Sequence, residues 1–299
     1  MTALPLYLLL PLAAAVVYAV ASMFLKKALT DGLSPMGCFH INNWAGMIFF
    51  LPLALFETKP LVWADVYQPI CLGAMFFVGG WFTFLAMTRG DVSLVTPVLG
   101  SKVVFVALGS TLLIAEEISL VMWLAAIITT GGIFLMSATD LKTPRGGHLA
   151  GPVMMALISA AFFALCDVLL QRLAPPFGAK NFLVICTLTT GILSLISMVP
   201  AGRPRLPWNS ATRWALGGSV LIAAQAMLVG LALANHGDAL GVNVVYATRG
   251  LWILLIVAAF GPLIGNLERH DSGKAYRLRV IAACLLLVGV VFAVIGRMG

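Results

Sequence analysis

Apolar residues run through this chain in long blocks instead of alternating with polar ones. A membrane-spanning helix needs about 20 predominantly apolar residues. Blocks of that kind recur at roughly 4–25, 36–56, 68–88, 92–114, 119–139, 149–171, 181–200, 212–234, 239–264 and 278–297. Short stretches rich in Pro, Gly and charge separate them, such as "TDGLSP", "FETKP", "TDLKTPRGGH" and "AGRPRLPWNSATR". None is long enough for a separate folded domain. The first block ends in "YAVAS", which mimics a signal-peptidase site. It lacks a basic leading region, and Lys26 and Lys27 follow it as they would follow a retained span, so it reads as a helix.

Composition agrees with the pattern. The 299 residues are 61% hydrophobic and 10% charged, with a mean hydropathy of +1.04, against about half and about a quarter in soluble domains. The expectation is an all-α, multi-pass protein of the cytoplasmic (inner) membrane whose one constant partner is the bilayer, as a monomer or homodimer. The net charge of +7 belongs to loop Lys and Arg and not to nucleic-acid binding, for which there is no motif. Cys38, Cys71, Cys166, Cys186 and Cys284 all fall in apolar stretches with no CxxC spacing. That is neither a disulfide framework nor a metal site, and no cofactor or metal is expected.

The chain repeats itself. "TRGDVSLVTPVLGSKVVFVALG" (88–109) aligns with "NHGDALGVNVVYATRGLWILLI" (235–256), placing Gly90-Asp91 on Gly237-Asp238 and Lys102 on Arg249. Each cation lies about ten residues into its span, near the bilayer midplane at 1.5 Å per residue. "VVYAVASMFLKKAL" (16–29) likewise aligns with "AFFALCDVLLQRLA" (161–174), pairing Tyr18 with Phe163, Ser22 with Asp167 and Lys27 with Arg172. The expected organisation is two five-helix repeats, 1–140 and 149–299, joined by a loop at 141–148. An odd number of spans per repeat forces opposite orientations, so the expected architecture is ten transmembrane helices as two inverted repeats around a central cavity. With both ends placed outside, twelve of the 18 Lys and Arg fall on the cytoplasmic side and only Lys59, Arg172, Lys180 and Arg297 outside.

With these halves, and with the stretch "GDVSLVTPVLGSKVVFVALGSTLLIAEEISLVMWLAAIITTGGIFLM" and its weaker C-terminal copy, the chain resembles the drug/metabolite transporter superfamily in its ten-helix EamA-type form. In that family the fourth span of each half ends at an acidic residue, here Glu116 and Glu268. The last span of each half carries glycine, here Gly131-Gly132 and Gly289. The second copy departs from the pattern by its longer charged connection "NLERHDSGKAYRLR" and by lacking a counterpart of Pro97. Family members are usually drawn with both ends in the cytoplasm, opposite to the charge count. The resemblance implies transport of a small polar metabolite without ATP hydrolysis. Phosphate- and nucleotide-sugar-carrying branches also place Lys or Arg where this chain has "YATRGLW".

Charged groups at the bilayer centre cost at least about 2.5–3.5 kcal/mol each by insertion scales, so Lys102 and Arg249 are expected to face water and to hold an anionic substrate from two sides. Asp167 is either their counterion, the favoured reading, or a proton-coupling carboxylate. Tyr18, Asn243, Tyr246, Gln225, Asn43 and Trp81 complete the expected substrate-binding set, and Pro97 is an expected kink or gating point in the fourth span. Asn43 could equally cross-link helices. Asp91 and Asp238 read as helix N-caps, Trp63, Trp123, Trp208 and Trp214 as interfacial anchors, and Glu116-Glu117 as solvated loop charges. The expected function is secondary transport of a small organic anion, carboxylated or phosphorylated, by alternating access. A second reading is an exporter of neutral or zwitterionic amino acids or drug-like compounds, with both cations structural. A third is an integral-membrane enzyme on lipid-linked substrates, disfavoured because neither carboxylate cluster has a recognisable ligand spacing.

Overall fold

The computed structural model describes residues 5–89, 95, 98–138, 150–198, 208–260 and 273–298. Pro97, Asp91 and Glu268 lie outside the described residues, and so does the expected kink. Every regular element described is helical. In chain order they are α1 (Leu9–Thr30), α2 (Pro35–Phe50), α3 (Tyr67–Arg89), α4 (Lys102–Ile114), α5 (Leu120–Ala138), α6 (Ala150–Phe177), α7 (Ala179–Met198), α8 (Ser210–His236), α9 (Ala239–Tyr246), α10 (Arg249–Phe260) and α11 (Gly273–Met298). A short 3-10 turn, Leu6–Leu8, runs directly into α1.

Eight helical segments among the described residues are long and apolar enough to cross a membrane, and two shorter apolar ones, Val98–Ile114 and Leu120–Met136, accompany them. Their outward surfaces are greasy: Leu55, Leu112, Leu120 and Ile196 are among many large apolar side chains left exposed, as lipid contact requires. Trp63 and Trp208, at helix starts, are exposed as anchors would be, whereas Trp123 and Trp214 pack inward on core clusters.

Local chemistry sets the helix ends. Ser34 caps α2, accepting from the Gly37 N–H, and Asn209 caps α8, accepting from Thr212. Asp238 caps α9 by accepting from the Gly241 N–H at 2.8 Å, as its sequence position predicts. The sixth predicted span runs six residues beyond 171, through Pro175 and Pro176, and stops at Gly178. Gly178 has φ +105°, a conformation that side chains resist, and a Cβ there would sit 3.1 Å from the Glu57 carboxyl. Lys59 Nζ donates to the Pro175 carbonyl at 2.6 Å and Lys180 Nζ to the Phe56 carbonyl at 2.5 Å. The α2–α3 connection is thereby clasped to the α6–α7 turn.

The helices pack in recurring pairs: α1 with α8, α3 with α6, α2 with α8, α3 with α7, α4 with α6, α1 with α10, α2 with α7 and α5 with α11. Small residues let backbones approach. A Cβ on Gly73 would meet the Cys186 carbonyl oxygen at 2.5 Å across the α3–α7 contact. Gly132 abuts Leu286 and Gly289 abuts Thr129 across α5 and α11, so both glycine positions of the predicted last spans serve the same helix–helix seam. The largest buried cluster lies between these pairs.

The ninth predicted span is discontinuous. Between α9 and α10 the chain tightens for one turn: the Thr248 N–H donates to the Val245 carbonyl and the Gly250 N–H to the Ala247 carbonyl, both three residues back. The Thr248 hydroxyl also donates to the Val245 carbonyl at 2.7 Å. At the aligned position in the other half, the Ser101 hydroxyl donates to the Val98 carbonyl at 2.7 Å and the Ser101 N–H to the same oxygen at 3.1 Å. Each break immediately precedes a cation.

Candidate functional site

Those two breaks place Lys102 at the first residue of α4 and Arg249 at the first residue of α10. Lys102 Nζ lies 2.7 Å from Asp167 Oδ2, and Asn243 Nδ2 donates to the same oxygen at 2.6 Å. The carboxylate side chain is 5% exposed and the lysine 18%. Asp167 on α6 is therefore the counterion of Lys102, and Asn243 on α9 closes the group by a second bond to the Ala239 carbonyl. A buried charge held by two donors is one the fold can tolerate.

Arg249 is different. Its guanidinium stands 4.5 Å from the Tyr246 ring and 5.1 Å from the Tyr18 ring, within cation–π range of both. Asp167 is within electrostatic reach, but no described carboxylate lies within 4.0 Å of it. The residue is half-buried, and the Tyr246 side chain also hydrogen-bonds it. The rings of Tyr18 and Tyr246 meet edge to face at 6.0 Å. Trp252, three residues along α10, packs on the same cluster, and its Nε1–H is buried with no acceptor among the described residues. Lys102 also has an aromatic neighbour, Phe163, at 5.9 Å. Tyr18 and Phe163 are the residues the duplication pairs, and each lies over the cation of the opposite half.

The structure thus brings together six of the residues singled out from the sequence or its alignment: Lys102, Asp167, Asn243, Tyr18, Tyr246 and Arg249. It does not bring all of them. Asn43 and Trp81 belong to a second group on α2 and α3. There Trp81 lies among Phe39, His40 and Phe77, and His40 Nδ1 shares a 2.7 Å hydrogen bond with Ser194. Asn43 Nδ2 and Trp44 Nε1 are buried and without partners there. Gln225 is buried in α8 and makes no hydrogen bond or ion pair with the central group among the described residues.

One expectation is overturned. Glu116 is not a solvated loop charge: its side chain is 20% exposed and it accepts from Arg297 at 3.0 Å. Arg297 also pairs with Asp238 at 2.5 Å, and Tyr7 donates to Asp238 at 2.6 Å. Asp238 is thus more than a helix cap. Nothing in the local pattern announced this group. The available signal was that Tyr7, Glu116, Asp238 and Arg297 all fall at ends of predicted spans on one side.

Comparison with known proteins agrees with this helical architecture. Residues 5–138 match the EamA-like transporter family. Membership of the wider drug/metabolite transporter superfamily is consistent with the match. An uncharacterized transporter of Archaeoglobus fulgidus is 29% identical over 189 residues, a stretch covering 60% of this chain and 66% of that protein's length. A crystal structure superposes over 97% of this chain and 99% of its own at a TM-score of 0.76; at 17% identity it speaks for the fold alone.

Proposed function

We propose that this EamA-like protein is a secondary transporter that carries a small organic anion past Arg249. The observation that carries the reading is the contrast between the two cations: Lys102 is paired with Asp167 at 2.7 Å, whereas half-buried Arg249 has Tyr18 and Tyr246 against its guanidinium and no described carboxylate within 4.0 Å. Together the three charges leave the site at +1, a deficit that a monoanionic carboxylate or phosphate ester would fill. The planar guanidinium offers paired donors to such a group, and the unpartnered Trp252 Nε1–H points to an acceptor in the same place.

A ten-helix chain built as two inverted repeats supports transport by alternating access. In favour of that reading are the eight long and two shorter apolar segments, the family match over 5–138, and the packing pairs. Exchanging the halves turns the α1–α8 contact into α6–α3, α2–α8 into α7–α3, and α4–α6 into α10–α1. Location in the cytoplasmic membrane belongs to the same proposal.

The test is uptake into proteoliposomes of mono- and dianionic carboxylates and phosphate esters, with zwitterionic amino acids as comparison. Arg249→Ala is expected to lower anion uptake 10- to 100-fold, as losing one charge-assisted contact of about 1.5–3 kcal/mol predicts. Arg249→Lys is expected to recover part of it. Anion uptake untouched in both variants, or uptake confined to zwitterions, refutes the anion assignment.

A further inference from the structure

We infer that Tyr7, Glu116, Asp238 and Arg297 form an ionic gate that closes the mouth of the bundle where α1 begins and α11 ends. Four separate segments converge there. Tyr7 lies in the turn leading into α1, Glu116 just past α4, Asp238 at the start of α9 and Arg297 in the last turn of α11. The Arg297 guanidinium bridges the two carboxylates, at 2.5 Å to Asp238 and 3.0 Å to Glu116. Tyr7 Oη donates to the other Asp238 oxygen at 2.6 Å, and the Tyr7 ring stacks on His236 with centroids 4.6 Å apart. Gln171 of α6 completes the seal, with Nε2 3.4 Å from Glu116 Oε2 and Oε1 accepting the Ala239 N–H at 2.6 Å.

These contacts have the properties of a latch. They are made by side chains near helix ends, between elements that must separate if this mouth is to open. They are partly exposed, with Arg297 at 24% and Glu116 at 20%, so water replaces them at moderate cost. Glu116 is held in position by Ala115, whose left-handed backbone (φ +52°) ends α4 and turns the chain toward α11. A non-glycine residue keeps that conformation only where its surroundings enforce it.

The latch is wired to the central site by single rigid elements. α9 carries Asp238 at its cap and Asn243 five residues on, about 7.5 Å along the axis, and Asn243 holds the Asp167 carboxylate. α6 carries Gln171 one helical turn beyond Asp167. A change in the Lys102–Asp167–Asn243 group therefore shifts the same two helices that hold the gate, and both sites bias one equilibrium. The gate rests on transport through the bundle and not on the substrate being an anion.

The experiment needs no substrate. Ser22, on the Tyr18 face of α1, is replaced by cysteine in a chain whose exposed Cys71 and Cys284 are changed to alanine. The protein is reconstituted with known sidedness, and a membrane-impermeant thiol reagent is added to one face at a time. Arg297→Gln is expected to speed labelling from the α1–α11 face about tenfold or more and to leave labelling from the other face unchanged or slower. Tyr7→Phe removes one hydrogen bond and keeps both ion pairs, so about a threefold to fivefold acceleration is expected. Arg297→Lys is expected to stay near the parent rate. Unchanged rates in both Arg297→Gln and Tyr7→Phe, or equal acceleration from both faces, overturns the gate. If Arg297→Gln does not fold, Glu116→Gln and Tyr7→Phe decide the matter by the same two readings.

Discussion

Removing one partner of the Lys102–Asp167 pair leaves a charge that its surroundings cannot solvate. Breaking a fully buried pair costs about 3–5 kcal/mol, because the surviving charge stays in place without compensation. Here the carboxylate is 5% exposed but the lysine 18%, so the expectation falls to about 2–4 kcal/mol for each single change. Asp167→Asn keeps the shape and an acceptor for Asn243 while deleting the charge, so its loss reports the ion pair more than packing. Lys102→Met keeps the apolar stem. In the double variant no uncompensated charge remains, and replacement of a buried pair by neutral groups is often close to neutral. The two single losses should therefore fail to add, the double variant losing less than either single. The assay is thermal unfolding of detergent-purified protein for the parent, both single variants and the double, evaluated at one reference temperature. Additive losses, with coupling under about 0.5 kcal/mol, would refute the claim that Asp167 compensates Lys102.

Three further outcomes follow from the packing and the loops. Gly73→Ala drives a methyl group to 2.5 Å from the Cys186 carbonyl oxygen; α3 and α7 must part, and a loss of about 1–3 kcal/mol is expected from unfolding midpoints. Gly178→Ala combines φ +105° with a 3.1 Å approach to the Glu57 carboxyl, and should cost about 1–2 kcal/mol or displace the α2–α3 connection. Glu57 itself gives a pH signature. Burial raises its pKa, but backbone N–H donors at Lys59, Lys180, Thr58 and Asn181 outweigh that and hold it below the ordinary glutamate value. A depressed folded-state pKa means stabilisation that is full above the unfolded carboxylate range and lost as pH falls through the folded value. Glu57→Gln should flatten the acid limb of a melting-temperature-versus-pH curve; an unchanged limb would mean the carboxylate does not hold the α6–α7 turn.

Helix faces and chain depth were readable in one dimension. Runs of about 20 apolar residues mark spans because every backbone group must be satisfied within the bilayer, and the 147-residue offset between Lys102 and Arg249 follows from aligning the halves. The four-residue spacing of Phe163, Asp167 and Gln171 puts them on one helix face. Partner choice was not readable. Which cation keeps the single intramembrane carboxylate depends on how α6 lies between α4 and α9, and that crossing is set by side-chain packing over many residues. The break before each cation left only Ser101 and Thr248 as traces, and a hydroxyl in an apolar run has many other uses. The gate joins Tyr7 to Asp238 across 231 residues, a separation at which no local pattern constrains the pairing. Period and polarity along the chain determined which residues leave the lipid. The three-dimensional packing alone decided that Lys102 pairs with Asp167, that Arg249 lies against Tyr18 and Tyr246, and that Arg297 ties Glu116 to Asp238.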